Sequence, residues 1–224
     1  MATSTVENYI KQIYLLQQNT SGERVSVGKL AAMMGVVPGT ATSMVKALAD
    51  SELVEYEPRA GLRLTRGGEQ LALHVLRRHR LVELFLVNVL GLDWSEVHEE
   101  AEDLEHAISD KVLNKIDAYL NSPQFDPHGD PIPSARGKVP DMECRSIADC
   151  PVGRSFRISR ITDQDSKFLQ FAERNGLTPG VTIRITDRNS EADAVTIHVS
   201  GRRVMLGTSA ATKILVEDKA ARTR

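Results

Sequence analysis

From Arg66 to Leu120 the apolar residues recur every three or four positions, the spacing of a helix face, and this stretch limits most strongly what the chain can become. The periodicity predicts a long helix over 66–90. Its second half, Leu81–Leu92, is apolar nearly all round, so it must be covered on more than one side. A neighbouring helix covers one side, and a second subunit is the economical cover for the other. A further helix is expected over 93–120. At about 100° per residue, His98, Glu102, Glu105 and His106 then share an arc of roughly 100°. The apolar stripe Val97, Ala101, Leu104, Ile108 and Val112 adjoins it. Two imidazoles and two carboxylates at the edge of a buried face form a ligand set for a divalent cation.

The charge distribution supports that reading. Residues 81–130 hold 2 Lys/Arg against 12 Asp/Glu, between two net basic flanks. Crowded carboxylates repel one another, and a bound cation relieves the repulsion. His79 and Glu83, four apart on the preceding helix, extend the set to six residues. Neither Cys nor Met belongs to it. Oxygen and imidazole donors suit Mn²⁺ and Fe²⁺, whereas thiolates would favour zinc or copper. Glu99, Glu100 and Asp103 are read as a solvated face.

Upstream, Ser4 and Glu7 have capping-box spacing, so a helix is expected over 5–18 with Tyr9, Ile13 and Leu16 facing inward. A polar loop follows over 19–24. Val27–Met34 reads as a short helix ended by Gly35, and Pro38 opens a helix that runs to Asp50. Leu53–Tyr56 and Leu62–Thr65 read as a hairpin. Helix, short helix, tight turn, helix, hairpin is a winged helix-turn-helix pattern. Pro38 and Gly39 would let the third helix approach a groove closely, and Thr40, Thr42, Ser43 and Lys46 could reach phosphates and base edges. Arg59 at the hairpin tip and Arg63 are candidates for backbone or minor-groove contact. A winged helix also serves protein contacts, and the helices would equally suit an enzyme. No strong base reader such as Arg or Asn stands on the reading helix, which leaves room for shape readout.

Downstream, the proline-rich segment 121–140 has few periodic apolar positions and reads as a linker. Beyond it come five short β-rich runs, 156–161, 181–186, 195–199, 202–206 and 213–216, interrupted by one amphipathic helix over 166–175. Five short strands in so few residues suggest a small barrel. The tail after Asp218 is expected to fray. Cys144 and Cys150 lack C-x-x-C spacing and read as two reduced thiols. With no run of 18 apolar residues and no basic-then-apolar leader, a soluble cytoplasmic protein is expected.

The winged helix, then His79–Arg80–Leu81–Val82–Glu83, then the run Val97–His106, then Gly129–Asp130–Pro131–Ile132–Pro133, resembles the diphtheria toxin repressor and manganese transport regulator family of metal-dependent repressors. The resemblance spans about residues 4–135. The C-terminal part resembles the SH3-like (FeoA-like) domain of the longer members. It implies a mainly α fold with small β parts: a winged helix-turn-helix DNA-binding domain over 1–72, a helical metal-binding and dimerisation domain over 73–135, a linker over 136–151 and an SH3-like β-barrel over 152–218. It also implies a non-enzymatic homodimer that binds double-stranded operator DNA, with no membrane and no small organic ligand as partner. By position, the regulatory metal site would use Asn8, Glu102, Glu105 and His106. The second would use His79, Glu83 and His98 with Asp165 from the SH3-like domain.

Iron-responsive members of this family carry Cys where Glu102 stands, so the resemblance implies Mn²⁺ as cofactor, with Fe²⁺ as the alternative. Position 8 is Met in iron sensors and Asp in manganese sensors. Asn8 is neutral and bridges two metals less readily. Lys11 also replaces an acidic residue of some manganese members. Two readings from other classes remain: a metal-dependent hydrolase, for which no positioned nucleophile or phosphate loop is evident, and a metal-buffering protein without DNA function.

Overall fold

A computed structural model of the chain describes residues 3–18, 20 and 24–218. Apart from Thr20 and Arg24, the loop expected over 19–24 lies outside these residues, as does the tail after Asp218. The chain divides into two compact units, Met1–His79 with Pro133–Lys138, and Arg80–Ile132 with Val139–Arg224. It mixes helix and sheet in substantial measure, rather than being mainly helical.

In the first unit, α1 (Ser4–Gln18), α2 (Val27–Met33) and α3 (Pro38–Asp50) precede a hairpin of β1 (Val54–Glu57) and β2 (Gly61–Leu64). Tyr9, Ile10, Ile13 and Leu16 of α1 pack with Leu30, Val45, Leu48, Val54 and Leu62 in one apolar core. Thr3 rather than Ser4 caps α1: the Val6 N–H donates to Thr3 Oγ1 at 3.3 Å. Glu7, expected to close a capping box, is buried, and Arg78 NH1 donates to its Oε1 at 3.5 Å. Ser26 caps α2 through Lys29 N–H, and Pro38 opens α3 where the missing N–H costs nothing. Val25 pairs with Leu62, adding a third chain segment to the wing. Helix α4 (Arg66–Asn88) begins in this unit. A Cβ at Gly68 would lie 2.1 Å from Leu53 O, so only glycine lets the helix start against the wing.

In the second unit the helix expected over 93–120 is two helices, α5 (Val97–Glu105) and α6 (Asp110–Tyr119). Ser109 ends the run, because its hydroxyl accepts from Val112 N–H and caps α6 better than it would sit inside a helix. Val97 and Ala101 are buried, but Leu104 and Val112 of the expected inward stripe are 41% and 48% exposed. The stretch 124–132, read as linker, is instead an ordered strap. Asp126 N–H donates to Asp130 O at 3.0 Å, and Ile161 N–H donates to His128 O at 2.9 Å. Gly129, at φ +86°, brings the strap so near that a Cβ would lie 2.0 Å from Ser159 O.

The C-terminal part is built from β3 (Arg145–Ser146), β4 (Ser155–Ile161), α7 (Ser166–Arg174), β5 (Thr182–Asn189), β6 (Ala194–Val199), β7 (Arg202–Gly207), α8 (Thr208–Thr212) and β8 (Ile214–Asp218). One six-stranded sheet has the order β3-β8-β4-β5-β6-β7. It does not close into the expected barrel. The two-residue β3 pairs only with β8, and β7 only with β6, so both edges stay open among the described residues. Alternate residues such as Phe156, Ile158, Ile183, Ile185, Ile197 and Val216 face a core shared with Leu169 and Ala172 of α7. No helix among the described residues is long and apolar enough to cross a membrane.

Candidate metal centre and nucleic-acid interface

The reading surface is built on α3. Ala41, Val45 and Leu48 are buried on one side, while Pro38, Gly39, Thr40, Ser43 and Lys46 are exposed on the other and Thr42 is half-buried. Thr42 Oγ1 donates to Pro38 O at 2.7 Å, and Ser43 Oγ donates to Gly39 O at 3.1 Å. Arg59 is exposed at the wing tip with φ +71°. Arg63 is engaged within the wing, its Nε donating to Glu55 Oε2 at 2.6 Å. That hydrogen bond lowers the pKa of Glu55 and raises that of Arg63. Sequence reasoning missed Arg24, whose NH2 lies 3.5 Å from Glu57 Oε2 and 4.0 Å from Glu55 Oε2. The spacing of Arg24 from the hairpin carries no periodic signal.

The metal-type ligands gather around α4 and α5. His79 is buried one turn before Glu83 on α4, the spacing that stacks two side chains on one helix face. The fully buried Glu83 turns Oε1 to His98 Nδ1, 3.1 Å away. The other nitrogen of the same ring, Nε2, lies 3.6 Å from Glu102 Oε1. Further along α5, Glu105 Oε1 is 3.3 Å from His106 Nε2, with the Glu105 side chain fully buried. Buried carboxylates in such number are stable only when paired or coordinated.

A second cluster joins the first through Glu83. One ligand atom each from Glu83, Asp126 and His128 lies within 4.8 Å of the others, and all three residues are buried. His128 Nε2 is 2.7 Å from Trp94 O. A carbonyl only accepts, so Nε2 carries the proton, and in the neutral ring Nδ1 is left as a lone pair. Nδ1 is buried without a hydrogen-bond partner, 3.9 Å from Glu83 Oε2. Asp126 Oδ1 accepts from the N–H groups of His128 and Asp130, while Oδ2 has no hydrogen-bond partner. Burial, then the charges of Asp130 and Glu83, hold the Asp126 carboxyl well above the usual carboxylate range, against the pull of Arg80. Acceptor atoms converging in a dry pocket are what a cation, or a proton, would satisfy.

Three known sequence signatures account for nearly the whole chain. Residues 1–62 match "Iron dependent repressor, N-terminal DNA binding domain", residues 65–134 match "Iron dependent repressor, metal binding and dimerisation domain", and residues 145–218 match the FeoA domain. The diphtheria toxin repressor of Corynebacterium efficiens is 30% identical, with 95% of each chain covered. The chain belongs to the iron-dependent repressor family. It is thus a metal-dependent transcriptional repressor of the kind its relatives represent. The HTH-type transcriptional regulator MntR of Lysinibacillus sphaericus is 36% identical over 52% of this chain and 81% of that one. A solved manganese-dependent transcriptional repressor in complex with manganese superposes with TM-score 0.88 at 39% identity, covering 95% of this chain and 99% of that one. The structure of the manganese regulator SloR gives 0.77 at 32% identity, covering 96% and 98%.

Of the ligands expected on α4 and α5, Glu83 meets His98, His98 lies near Glu102, and Glu105 lies beside His106. Asn8 is half-buried on α1, and Lys11, one turn later, is buried. Asp165 is occupied otherwise: its Oδ1 accepts from Lys167 and Phe168 N–H at 3.0 and 3.2 Å, capping α7. Besides His98, the residues that meet Glu83 are Asp126 and His128. Both sit in an irregular, proline-rich stretch where no periodicity points inward. The one available signal was the Asp126-Pro127-His128 pair inside that stretch.

Proposed function

We propose that the protein is a homodimeric, Mn²⁺-activated repressor of metal-uptake genes in the cytoplasm, acting on double-stranded operator DNA. The observation that carries this reading is the donor set: the clustered groups are carboxylates and imidazoles, with no thiol, and oxygen-rich sets favour Mn²⁺ or Fe²⁺ over softer metals. Asn8, Glu102, Glu105 and His106 form the regulatory centre in this reading. His79, Glu83 and His98, with Asp126 and His128 in the place expected for Asp165, form the second.

Mn²⁺, when bound, supplies two positive charges and a demand for about six ligands. Before that, Glu83, Glu102 and Glu105 repel one another, which favours an open arrangement. Asn8 is a ligand carried by the winged-helix unit, so its coordination biases the population toward a DNA-competent arrangement. Pro38, Gly39, Thr40, Thr42, Ser43 and Lys46 then meet the groove and Arg59 the backbone, while Arg63 serves the wing. Dimerisation is supported by Val89 and Leu90 just past α4, Leu104 on α5, and Val112 and Tyr119 on α6, large apolar residues that stand exposed on one chain. Three domains of limits 1–72, 73–135 and 152–218, with a linker over 136–151, accompany this reading.

Operator binding measured with buffered Mn²⁺, Fe²⁺ and Zn²⁺ tests it. Activation by Mn²⁺ is expected at concentrations where Zn²⁺ does not activate. Equal affinity with and without metal would defeat the reading. Activation by Fe²⁺ alone would move the protein to the iron-responsive branch, which the names of several relatives represent.

A further inference from the structure

Asp130 is as deeply buried as the strap ligands, yet it is aimed away from them. Its Oδ1 lies 2.5 Å from Arg160 NH2 and 3.3 Å from Arg80 NH2, and its Oδ2 accepts from Gln164 Nε2 at 3.1 Å. Arg80 is itself buried and donates from NH1 to Pro131 O at 2.7 Å. The remaining nitrogen of that guanidinium, Nε, stands 3.8 Å from Asp126 Oδ2, beyond hydrogen-bond length. One buried cation therefore faces two buried carboxylates. It is hydrogen-bonded to Asp130 and only near Asp126.

We propose that Asp130 is a positioning residue for the buried ion centre: it holds the Arg80 guanidinium and so leaves Asp126 Oδ2 free to ligate. This inference rests on the reading of Glu83, Asp126 and His128 as an ion site. A guanidinium fork prefers two-pronged contact with a carboxylate, and a buried Arg without a counter-charge is strongly driven to find one. If Asp130 carried no charge, the nearest carboxylate for Arg80 would be Asp126. The fork would then occupy the ligand's lone pairs and set a positive charge against an incoming cation. Arg160 on β4 and Gln164 just after it fill the remaining acceptor sites of Asp130 and fix its orientation. The strap is tied to the same strand by Ile161 N–H to His128 O. Two of the three side chains on Asp130 thus come from the C-terminal sheet region, so that region sets whether the strap's ligands are available. Linkage then requires the ion to strengthen the hold between strap and sheet by the same factor.

The test counts Mn²⁺ bound to the full chain, from the loss of the free-ion electron paramagnetic resonance signal, for wild type, His128→Ala, Asp130→Asn, Arg80→Gln and the double variant Asp130→Asn/Arg80→Gln. His128→Ala identifies the buried site by the ion it loses. Asp130→Asn is expected to weaken that same site at least tenfold while leaving the other ions unchanged. The double variant is expected to recover most of the loss, because no guanidinium remains to compete. Wild-type affinity in Asp130→Asn, or a double variant no better than the single one, would overturn the inference. Should Asp130→Asn fail to fold, Arg80→Gln alone decides: tighter binding at this site supports the proposal, and weaker binding overturns it. If His128→Ala binds as many ions as wild type, the ion site itself is refuted, a result distinct from failure of Asp130 to position it.

Discussion

On α5 and its C-cap, His98, Glu102 and His106 keep 38%, 32% and 18% of their side chains in solvent, with only Glu105 of that set sealed, whereas Glu83, Asp126 and His128 keep none. The two groups use the same chemistry. They differ in what surrounds them. Ligands at a half-exposed helix edge exchange protons and ions with water readily, and their repulsion is softened by solvent. Ligands sealed under a strap bear the full cost of desolvation, so their empty, charged form is disfavoured. The first arrangement suits a centre that follows the free-ion concentration, and the second a centre that holds an ion and stiffens the structure around it.

The largest expected effect breaks the sealed group without touching a ligand. Gly129→Ala forces a Cβ onto Ser159 O at a positive φ, and should cost about 3 kcal/mol or more of unfolding free energy in urea titration. Next, Glu105→Gln, at the buried end of the α5 group, should lower Mn²⁺-activated operator affinity about a hundredfold, roughly 2.7 kcal/mol, with the metal-free protein's affinity unchanged.

Asp126→Asn sharpens the contrast from the other side. Because folding raises this carboxyl's pKa, the folded state keeps a proton that the unfolded chain has already lost, and metal-free wild type is destabilised as pH rises through that interval. The variant escapes this, so metal-free Asp126→Asn should be more stable than wild type at pH 7. The advantage should vanish at pH values below the ordinary carboxylate range, while stabilisation by Mn²⁺ is reduced. A chemical-denaturation series against pH checks both signs.

Smaller still is the wing. Arg59→Ala should reduce the salt dependence of operator binding by about one phosphate contact, and Arg63→Ala, whose guanidinium is held by Glu55, by almost none. At the bottom of the scale, Cys150 should resist alkylation at pH 8 in the native protein, since burial pushes its thiol up to about 11.

What sequence could reveal follows the same division. Helix α3 was legible to its ends because Pro38 opens it and its apolar positions keep a strict period. The ligands of α5 were legible for the same reason: a helix converts spacing into a shared face. Asp126 and His128 were not, since the strap has no period and its prolines read as a spacer. The break at Ser109 carried a capping signal that the continuing apolar pattern outweighed. Barrel closure was beyond reach, because whether β7 meets β3 depends on pairings across some sixty residues that no local pattern specifies. Asp165, placed by position as a ligand, also caps α7 through Oδ1, a local role that its place just before a helix announces.

The hydroxyls of α3 have a consequence for the genetic letters this protein can read. Thr42 and Ser43 have committed their hydrogens to the carbonyls of Pro38 and Gly39. What each turns outward is therefore a lone pair. In the major groove the bases that offer a hydrogen to such an atom are adenine, through N6, and cytosine, through N4. Under the proposed reading, in which Thr42 and Ser43 face the groove, the internal bonding of one helical turn narrows the alphabet at two positions to amino-bearing bases.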